Sequence, residues 1–357
     1  MKIIHTADLH LASALTSRLS ADKRRIRQDE LFDTFERTVN EGRRLGASVI
    51  IIAGDLFDKK QVTKSKIKSV LSVIGEAEDI TFLYLEGNHE SDALTRSGLE
   101  LPENLLVFGE EWTGFTVGDV CFVGRSRLTE DLGDGLVTDP DRKNIAVLHG
   151  VLGAHSDGKE IIGRAELTGR GLDYVALGHY HAYSETMLDD GCPAVYCGTP
   201  EGRGFDEVGE RGFVLIDTDG RRLSYRFVPI AQRQVRWEKI DVTGCEDGDG
   251  IKAKVREAIK DIPSSDLVRL ELVGQRPVDL IADTETLKRT LDSRFFYLDE
   301  IKDSTKAVID PEKYRYDKTL KGEFIRLVSE DGSLSDEEKA EIIRCGITAL
   351  MGEDVTV

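Results

Sequence analysis

Five times in the first 200 residues a short apolar run ends abruptly on a polar motif, and this rhythm constrains the fold more than any other feature. Ile3–Ile4 lead into Asp8 and His10 ("KIIHTADLH"), and Val49–Ile52 into Gly54–Asp55 ("ASVIIIAGDLFD"). Ile80–Leu85 lead into Gly87–Glu90 ("ITFLYLEGNHE"), Ile145–Leu148 into His149 ("NIAVLHG") and Val175–Leu177 into His179 ("YVALGHYH"). Unbroken apolar runs of this length suit strands buried on both faces. Between them, Leu31, Phe35 and Val39 fall at helical spacing before Gly46, and Ile67, Val70, Leu71 and Ile74 make a second amphipathic stretch. Alternating strands and helices predict a layered α/β domain, whose sites gather at the carboxyl ends of the strands. All five polar motifs lie at such ends.

The texture changes after about Gln232. "RQVRWEKIDV", "LVRLELVG" and "FFYLDEI" read as strands, and "GIKAKVREAIK" and "DTETLKRTLDS" as helices. This β-α-β-α-β unit holds no histidine or cysteine cluster. The expected boundary lies near Pro229–Arg233, giving a catalytic domain at 1–230, a small α/β capping domain at 231–308 and a C-terminal helical segment at 309–357. In the last, Ser335 and Glu338 form a capping box. Leu320, Phe324, Leu327 and Val328 are expected on one face, and Ala340, Ile343, Ile347 and Leu350 on another, for docking on the chain's own body or on a partner.

Composition sets the compartment and complicates the substrate. No run approaches the roughly 18 apolar residues of a membrane span, and the opening "MKIIHTADLH" reaches His5 and Asp8 before a signal-peptide core could form. The five cysteines are scattered with no CxxC pair, as expected of free thiols in a reducing cytoplasm. The net charge of −18 opposes a generic nucleic-acid binder. The charge is unevenly spread, however. Residues 11–70 carry thirteen Lys/Arg against eight Asp/Glu. Two basic runs, "DKRRIR" and "KKQVTKSKIK", follow directly on the His10 and Asp58 motifs, where they could line a cleft.

The strand ends offer three carboxylates (Asp8, Asp55, Asp58), one amide (Asn88) and five of the seven histidines (His10, His89, His149, His179, His181). One histidine at a strand end is ordinary; five along one sheet edge form a constellation. Mixed imidazole, carboxylate and amide ligands suit Mn, Fe or Zn, and they are too many for one ion. Two ions about 3.5–4 Å apart that share a carboxylate would use them and generate a hydroxide from bridging water. Hydrolysis of a phosphate ester is the natural reaction. His5, inside the first strand, and His155, in a loop, are read as structural and incidental.

The series "DLH", "GDLFD", "GNHE", "LHG" and "GHYH", in this order, resembles the calcineurin-like metallophosphoesterase superfamily. "IIHTADLHLAS", "GDLFDKK" and "YCGTPEGRGFDE" (Tyr196 to Glu207) resemble its DNA repair exonuclease branch, the SbcD-type double-strand-break repair nucleases. The resemblance implies a β-sandwich core flanked by helices, with a capping domain behind it. It implies that Asp8, His10 and His181 hold one ion, that Asn88, His149 and His179 hold the other, and that Asp55 bridges them. His89 would serve as proton donor or phosphate stabiliser, and Asp58 would orient a ligand. Arg18, Lys23, Arg24, Lys59 and Lys60, in or beside the basic runs, are candidate DNA contacts, and Arg203 is either another or the partner in a loop salt bridge. Two divalent cations, with manganese the expected metal, a coiled-coil ATPase (SbcC-like) partner at residues 310–357, a homodimer and a cytoplasmic, nucleoid-associated location complete what is implied. Two other readings stand beside this one. A small-molecule or nucleotide phosphodiesterase of the same superfamily suits the acidic total, and a non-catalytic scaffold would be expected to lack a ligand or the proton donor. GDLFDKK in place of GDxVDRG speaks against a protein phosphatase.

Overall fold

The computed structural model describes residues 1–15, 18–58, 62–87, 94, 97–129, 131–153, 160–308 and 311–350. Its contacts divide into two compact units, Met1–Gln234 and Val235–Val357.

The first unit runs β1 (Lys2–Thr6), α1 (Ala21–Leu45), β2 (Ala47–Ala53), α2 (Lys64–Gly75), β3 (Thr81–Leu85), β4 (Leu105–Val107), β5 (Thr113–Val117), β6 (Val120–Gly124), β7 (Lys143–His149), β8 (Val151–Gly153), β9 (Ile161–Gly163), α3 (Arg164–Leu167), β10 (Tyr174–Gly178), β11 (Ser184–Met187), β12 (Pro193–Tyr196), β13 (Gly212–Asp217) and β14 (Ser224–Pro229). Two six-stranded sheets form, in the orders β14-β13-β1-β2-β3-β4 and β11-β12-β10-β7-β6-β5. In each the central strands run parallel; antiparallel strands close one flank of the first sheet (β13, β14) and both flanks of the second (β11, β5).

Alternation along the strands builds three layers of core. Ile3, Val49, Ile51 and Leu83 of the first sheet meet Phe122, Ile145, Val147, Tyr174 and Val195 of the second. The intervening Ile4, Ile50 and Ile52 face the other way, onto Leu31, Phe35 and Val39 of α1 and Ile67, Val70 and Ile74 of α2. On the far side of the second sheet, Leu148, Val175 and Leu177 pack with Leu132, Ile162 and Leu167. The apolar runs are continuous because both faces of each central strand are covered. His5 bridges the sheets, with Nδ1 3.0 Å from the Tyr174 hydroxyl and Nε2 3.2 Å from the Leu177 carbonyl. Burial lowers its pKa to about 3, so the ring is a neutral structural link.

The second unit comprises β15 (Val235–Asp241), α4 (Gly248–Ile259), β16 (Leu267–Val273), β17 (Gln275–Pro277), α5 (Thr284–Leu291), β18 (Tyr297–Asp303), β19 (Lys306–Val308), α6 (Pro311–Tyr314), α7 (Leu320–Glu330) and α8 (Asp336–Leu350). β15, β16 and β18 form a parallel sheet in that order, and β17 pairs with β19. The expected apolar face of α7 is corrected in part. Ile325 is fully buried with Val278, Tyr314, Ile343 and Ile347, and Phe324 and Val328 pack beside them. Leu320 and Leu327 instead remain 71% and 63% exposed. The helix turns its Phe324, Ile325 and Val328 side inward and leaves the Leu320 and Leu327 edge of the anticipated stripe outside. Ser335 and Glu338 do form a reciprocal cap, with Glu338 N donating to Ser335 Oγ and Ser335 N to Glu338 Oε2. All five cysteines are free thiols. Among the described residues no helix is long and apolar enough to cross a membrane.

Candidate metal centre

The loops after β1 and β2 are laced together by their backbones. Asp8 N donates to Gly54 O (3.1 Å), His10 N to Asp55 O (2.9 Å) and Leu11 N to Leu56 O (2.9 Å). This interlock places Asp8, His10 and Asp55 side by side at the carboxyl ends of neighbouring parallel strands. From the opposing sheet β7 delivers His149, and the turn after β10 delivers His179 and His181. The His179 amide lies 3.0 Å from both oxygens of Asp8, joining the two sheets at the rim.

The side chains converge in two groups. Possible ligand atoms of Asp8, His10 and His181 lie within 4.8 Å of one another, as do those of Asp8, Asp55 and His149. His10 Nε2 and His181 Nε2 are 3.1 Å apart. His149 Nε2 lies 3.4 Å from Asp55 Oδ2, and the His179 ring stands edge-on to that of His149 at 5.5 Å. Asp8, His10, Asp55 and His149 are all buried.

Backbone strain marks the same residues. Six described non-glycine residues have positive φ, and four of them are Asp8 (52°), His10 (44°), Asp55 (48°) and His179 (103°). Such conformations cost of order 1–3 kcal/mol each and persist where the surroundings over-determine them, as they do at functional sites. Close approach is equally tight. A Cβ on Gly54 would fall 2.1 Å from His149 Nδ1, and one on Gly178 only 1.9 Å from the Ala53 carbonyl. Glycine is required at both positions so that the two sheet edges can meet.

The electrostatics ask for positive charge. Burial pushes the Asp8 carboxyl up, opposed by the nearby rings of His149, His181 and His10. Burial would lower His149, but the Asp55 and Asp8 carboxylates and the Ala53 carbonyl outweigh it and hold the imidazole at about 9. His149 Nδ1 sits 2.9 Å from the Ala53 carbonyl, while its buried Nε2 has no well-aligned hydrogen-bond partner. At that pKa the ring carries a proton on both nitrogens; a cation between Nε2 and Asp55 would displace the Nε2 proton, while donation from Nδ1 to Ala53 holds the tautomer a metal ligand needs. The residues present therefore fit divalent cations, and with the family they point to two.

A second ring of residues fixes the imidazoles. His10 Nδ1 lies 3.3 Å from Asp58 Oδ1, and His181 Nδ1 lies 2.7 Å from Glu207 Oε1. Glu207 is buried, which raises its carboxyl, yet the His181 contact and the Arg203 guanidinium prevail and hold it well below the usual range. Sequence reasoning missed this role for Glu207, although the residue closes the "YCGTPEGRGFDE" stretch. Arg203, read as a DNA contact or a salt bridge, donates to Glu207 (2.7 Å) and Asp58 (3.5 Å), and its Nη2 lies 3.1 Å from the His181 ring. The structure thus places it among the groups that hold the ligands.

The basic run after His10 needs a similar correction. Arg27 of "DKRRIR" is 1% exposed, ion-paired to Glu30 and, at 2.8 Å, to Glu201. Lys23 N is capped by Ser20 Oγ and Arg24 Nη2 donates to Leu19 O, while Arg18 is exposed. Asn88, His89, Lys59, Lys60 and His155 lie outside the described residues.

The sequence profile of the family described as "Calcineurin-like phosphoesterase" matches residues 1–183. The chain is 28% identical over 296 residues to the DNA double-strand break repair protein Mre11 of Methanopyrus kandleri, covering 72% of this chain and 62% of that protein. It is 28% identical over 319 residues to the uncharacterized metallophosphoesterase YhaO of Bacillus subtilis, covering 82% and 76%. With the Mre11 protein of Methanosarcina acetivorans it shares 23% over 364 residues, covering 95% and 57%. The chain spans about three fifths of the length of these two Mre11 relatives. With the profile matching more than half the chain and ending just past the last histidine pair, the protein belongs to the calcineurin-like phosphoesterase family, hydrolases of phosphate esters.

Proposed function

We propose that the protein is a two-metal-dependent phosphodiesterase acting as a nuclease on DNA ends. The observation that carries the reading is the convergence of buried Asp8 and Asp55 with His10 and His181 on one flank and His149 on the other. A phosphodiester is anionic, and an anionic cradle of this kind suits it only when cations are present. The Mre11 relatives, named for double-strand break repair, support DNA as the substrate.

In this reading Asp8, His10 and His181 hold one ion, Asn88, His149 and His179 the other, and Asp55 both, with manganese the expected metal. When bound, the pair supplies an activated water and neutralises charge developing on the phosphoryl oxygens, worth several kcal/mol. The chain's own residues do the rest. Ala53 fixes the His149 tautomer, Asp58 and Glu207 hold His10 and His181 in orientation, and the left-handed turns set the directions in which Asp8, His10, Asp55 and His179 leave the backbone. His89 delivers a proton to the leaving oxygen. His89→Gln should keep the metal content and lower turnover on the order of 10²–10⁴-fold; unchanged turnover removes it from the mechanism.

A nucleotide or small-molecule diesterase is the second reading. It is favoured by the net charge of −18 and by the internal pairing of Arg27 and Arg203, which takes two cations out of the basic track. Manganese-dependent degradation of an end-labelled linear duplex, run against bis(p-nitrophenyl) phosphate, decides between them. Cleavage of the small diester with an intact duplex would overturn the nuclease.

For the coiled-coil ATPase partner, the exposed Tyr316, Leu320 and Leu327 supply the apolar surface that the buried side of α7 does not. The double variant Leu320→Glu, Leu327→Glu should abolish association with that partner and leave hydrolysis of the small diester intact. Loss of both together would refute docking there.

A further inference from the structure

Tyr180 separates the two histidines of "GHYH". A residue between two candidate ligands has its backbone fixed from both sides. The His179 amide is held by Asp8, and the His181 carbonyl accepts from Thr199 N at 3.1 Å. The ring is also braced. It stands edge-on to Tyr196, centroids 4.9 Å apart at 85°, and lies 5.8 Å from the His179 ring at 76°. Tyr196 is itself immobilised, because its hydroxyl donates to Gly150 O (2.9 Å) and accepts from Leu152 N (2.8 Å), in the strand-end segment that follows His149. His149, His179, Tyr180 and Tyr196 therefore form one run of edge-to-face rings leading out from the buried ligands.

Tyr180 is the third ring of that run, between His179 and Tyr196; Tyr196 is 5% exposed, whereas Tyr180 is 48% exposed. Solvent alone does not require a ring there. A phosphate group does not either, since it has no apolar face. A flat partner does, and a ring that is already clamped loses little side-chain freedom on receiving one. Base–aromatic stacking of this kind tolerates any sequence, because every base has a π-face.

We propose that Tyr180 is a stacking platform for the nucleobase attached to the phosphodiester in the metal centre, so that the site selects nucleoside esters over simple alkyl esters. The inference rests on the phosphodiesterase reading above and assigns it a specificity-determining residue.

Two esters with the same leaving group test it in the full-length, manganese-loaded protein: the p-nitrophenyl ester of thymidine 5′-phosphate and methyl p-nitrophenyl phosphate. Tyr180→Ala should lower kcat/KM on the thymidine ester about 10-fold, the scale of one lost base stack, and change the methyl ester by no more than about 2-fold. Tyr180→Phe, which keeps the π-face, should match the parent on both. Calorimetry gives a readout independent of turnover: affinity for thymidine 5′-phosphate should fall by the same factor in Tyr180→Ala while that for 2-deoxyribose 5-phosphate holds. Equal losses on the two esters, no loss on either, or Tyr180→Phe as damaging as Tyr180→Ala overturns the proposal. Failure of the underlying reading is distinguishable, because then Asp55→Asn would hydrolyse both esters as fast as the parent.

Discussion

The rim of the first unit and the whole of the second unit handle charge and backbone in opposite ways. At the rim, two carboxylates and two imidazoles are buried together, four candidate ligands adopt left-handed φ, and glycines are forced by contacts near 2 Å. In the second unit, α4, α5 and α7 begin with side-chain caps from Asp247, Asp283 and Thr319. Among the described residues, no non-glycine residue after His179 has positive φ. Ion pairs there such as Lys252–Asp249 and Lys260–Glu257 sit at the surface, and the buried Asp266 and Asp299 are each paired with an arginine. The second unit has tight glycines too, at Gly274 and Gly346, but only the rim combines buried charge, left-handed side-chain-bearing residues and tight glycines at the same few residues. Local rules broken together mark a place where something other than folding sets the sequence.

Breaking the comparison most severely means removing the charge at its centre. Asp55→Asn should cut phosphodiester hydrolysis on the order of 10³-fold or more, since several kcal/mol of charge stabilisation depend on it at 1.36 kcal/mol per tenfold. Elemental analysis should show fewer than two ions per chain. Retained turnover would end the two-metal assignment.

A smaller effect tests the ring behind the ligands. Glu207→Gln keeps the shape of the residue and a hydrogen bond to His181 while removing its charge, so metal affinity should fall about 10–100-fold. Metal titration of the variant beside the parent measures this directly. An unaltered affinity would leave Glu207 with a purely structural link to Arg203.

A pair of effects of opposite sign sharpens the contrast in stability. Gly178→Ala drives a Cβ into the Ala53 carbonyl and should cost about 3 kcal/mol or more. Gly248→Ala, in the first turn of α4 with nothing within 4 Å of the new Cβ, should instead stabilise by about 0.5 kcal/mol. Denaturant melts of both variants check the opposite signs. If Gly178→Ala melts like the parent, the rim is looser than its contacts imply.

The sequence carried most of the rim because its chemistry is local. Asp8, His10, Asp55, His149, His179 and His181 each follow an apolar run directly, so strand and ligand are read in one pass. What escaped was mainly pairing across long separations. Arg27 looks like a member of a positive track, but it is buried, reaching Gly202 O across 175 residues and Glu201 at 2.8 Å. A one-dimensional pattern displays a charge without its partner, so this buried cation read as a surface one. The face of α7 was misread for a related reason. Four apolar residues at helical spacing define a stripe, but Gly322 allows closer approach on the neighbouring side, and Ile325 took the core position. Glu207 carried no periodic signal at all.

The order of strands in the first sheet has a temporal consequence. β1 lies between β2 and β13, which is far later in the sequence, and Lys2 pairs with Asp217. Every histidine of the rim has been translated by His181, yet β1 keeps one open hydrogen-bonding edge until Gly212–Asp217 emerges from the ribosome. A nascent chain that has all its imidazoles therefore still exposes, immediately beside Asp8, the kind of bare strand that recruits other chains. Covering that edge falls to a hairpin, β13–β14, that holds none of the candidate ligands.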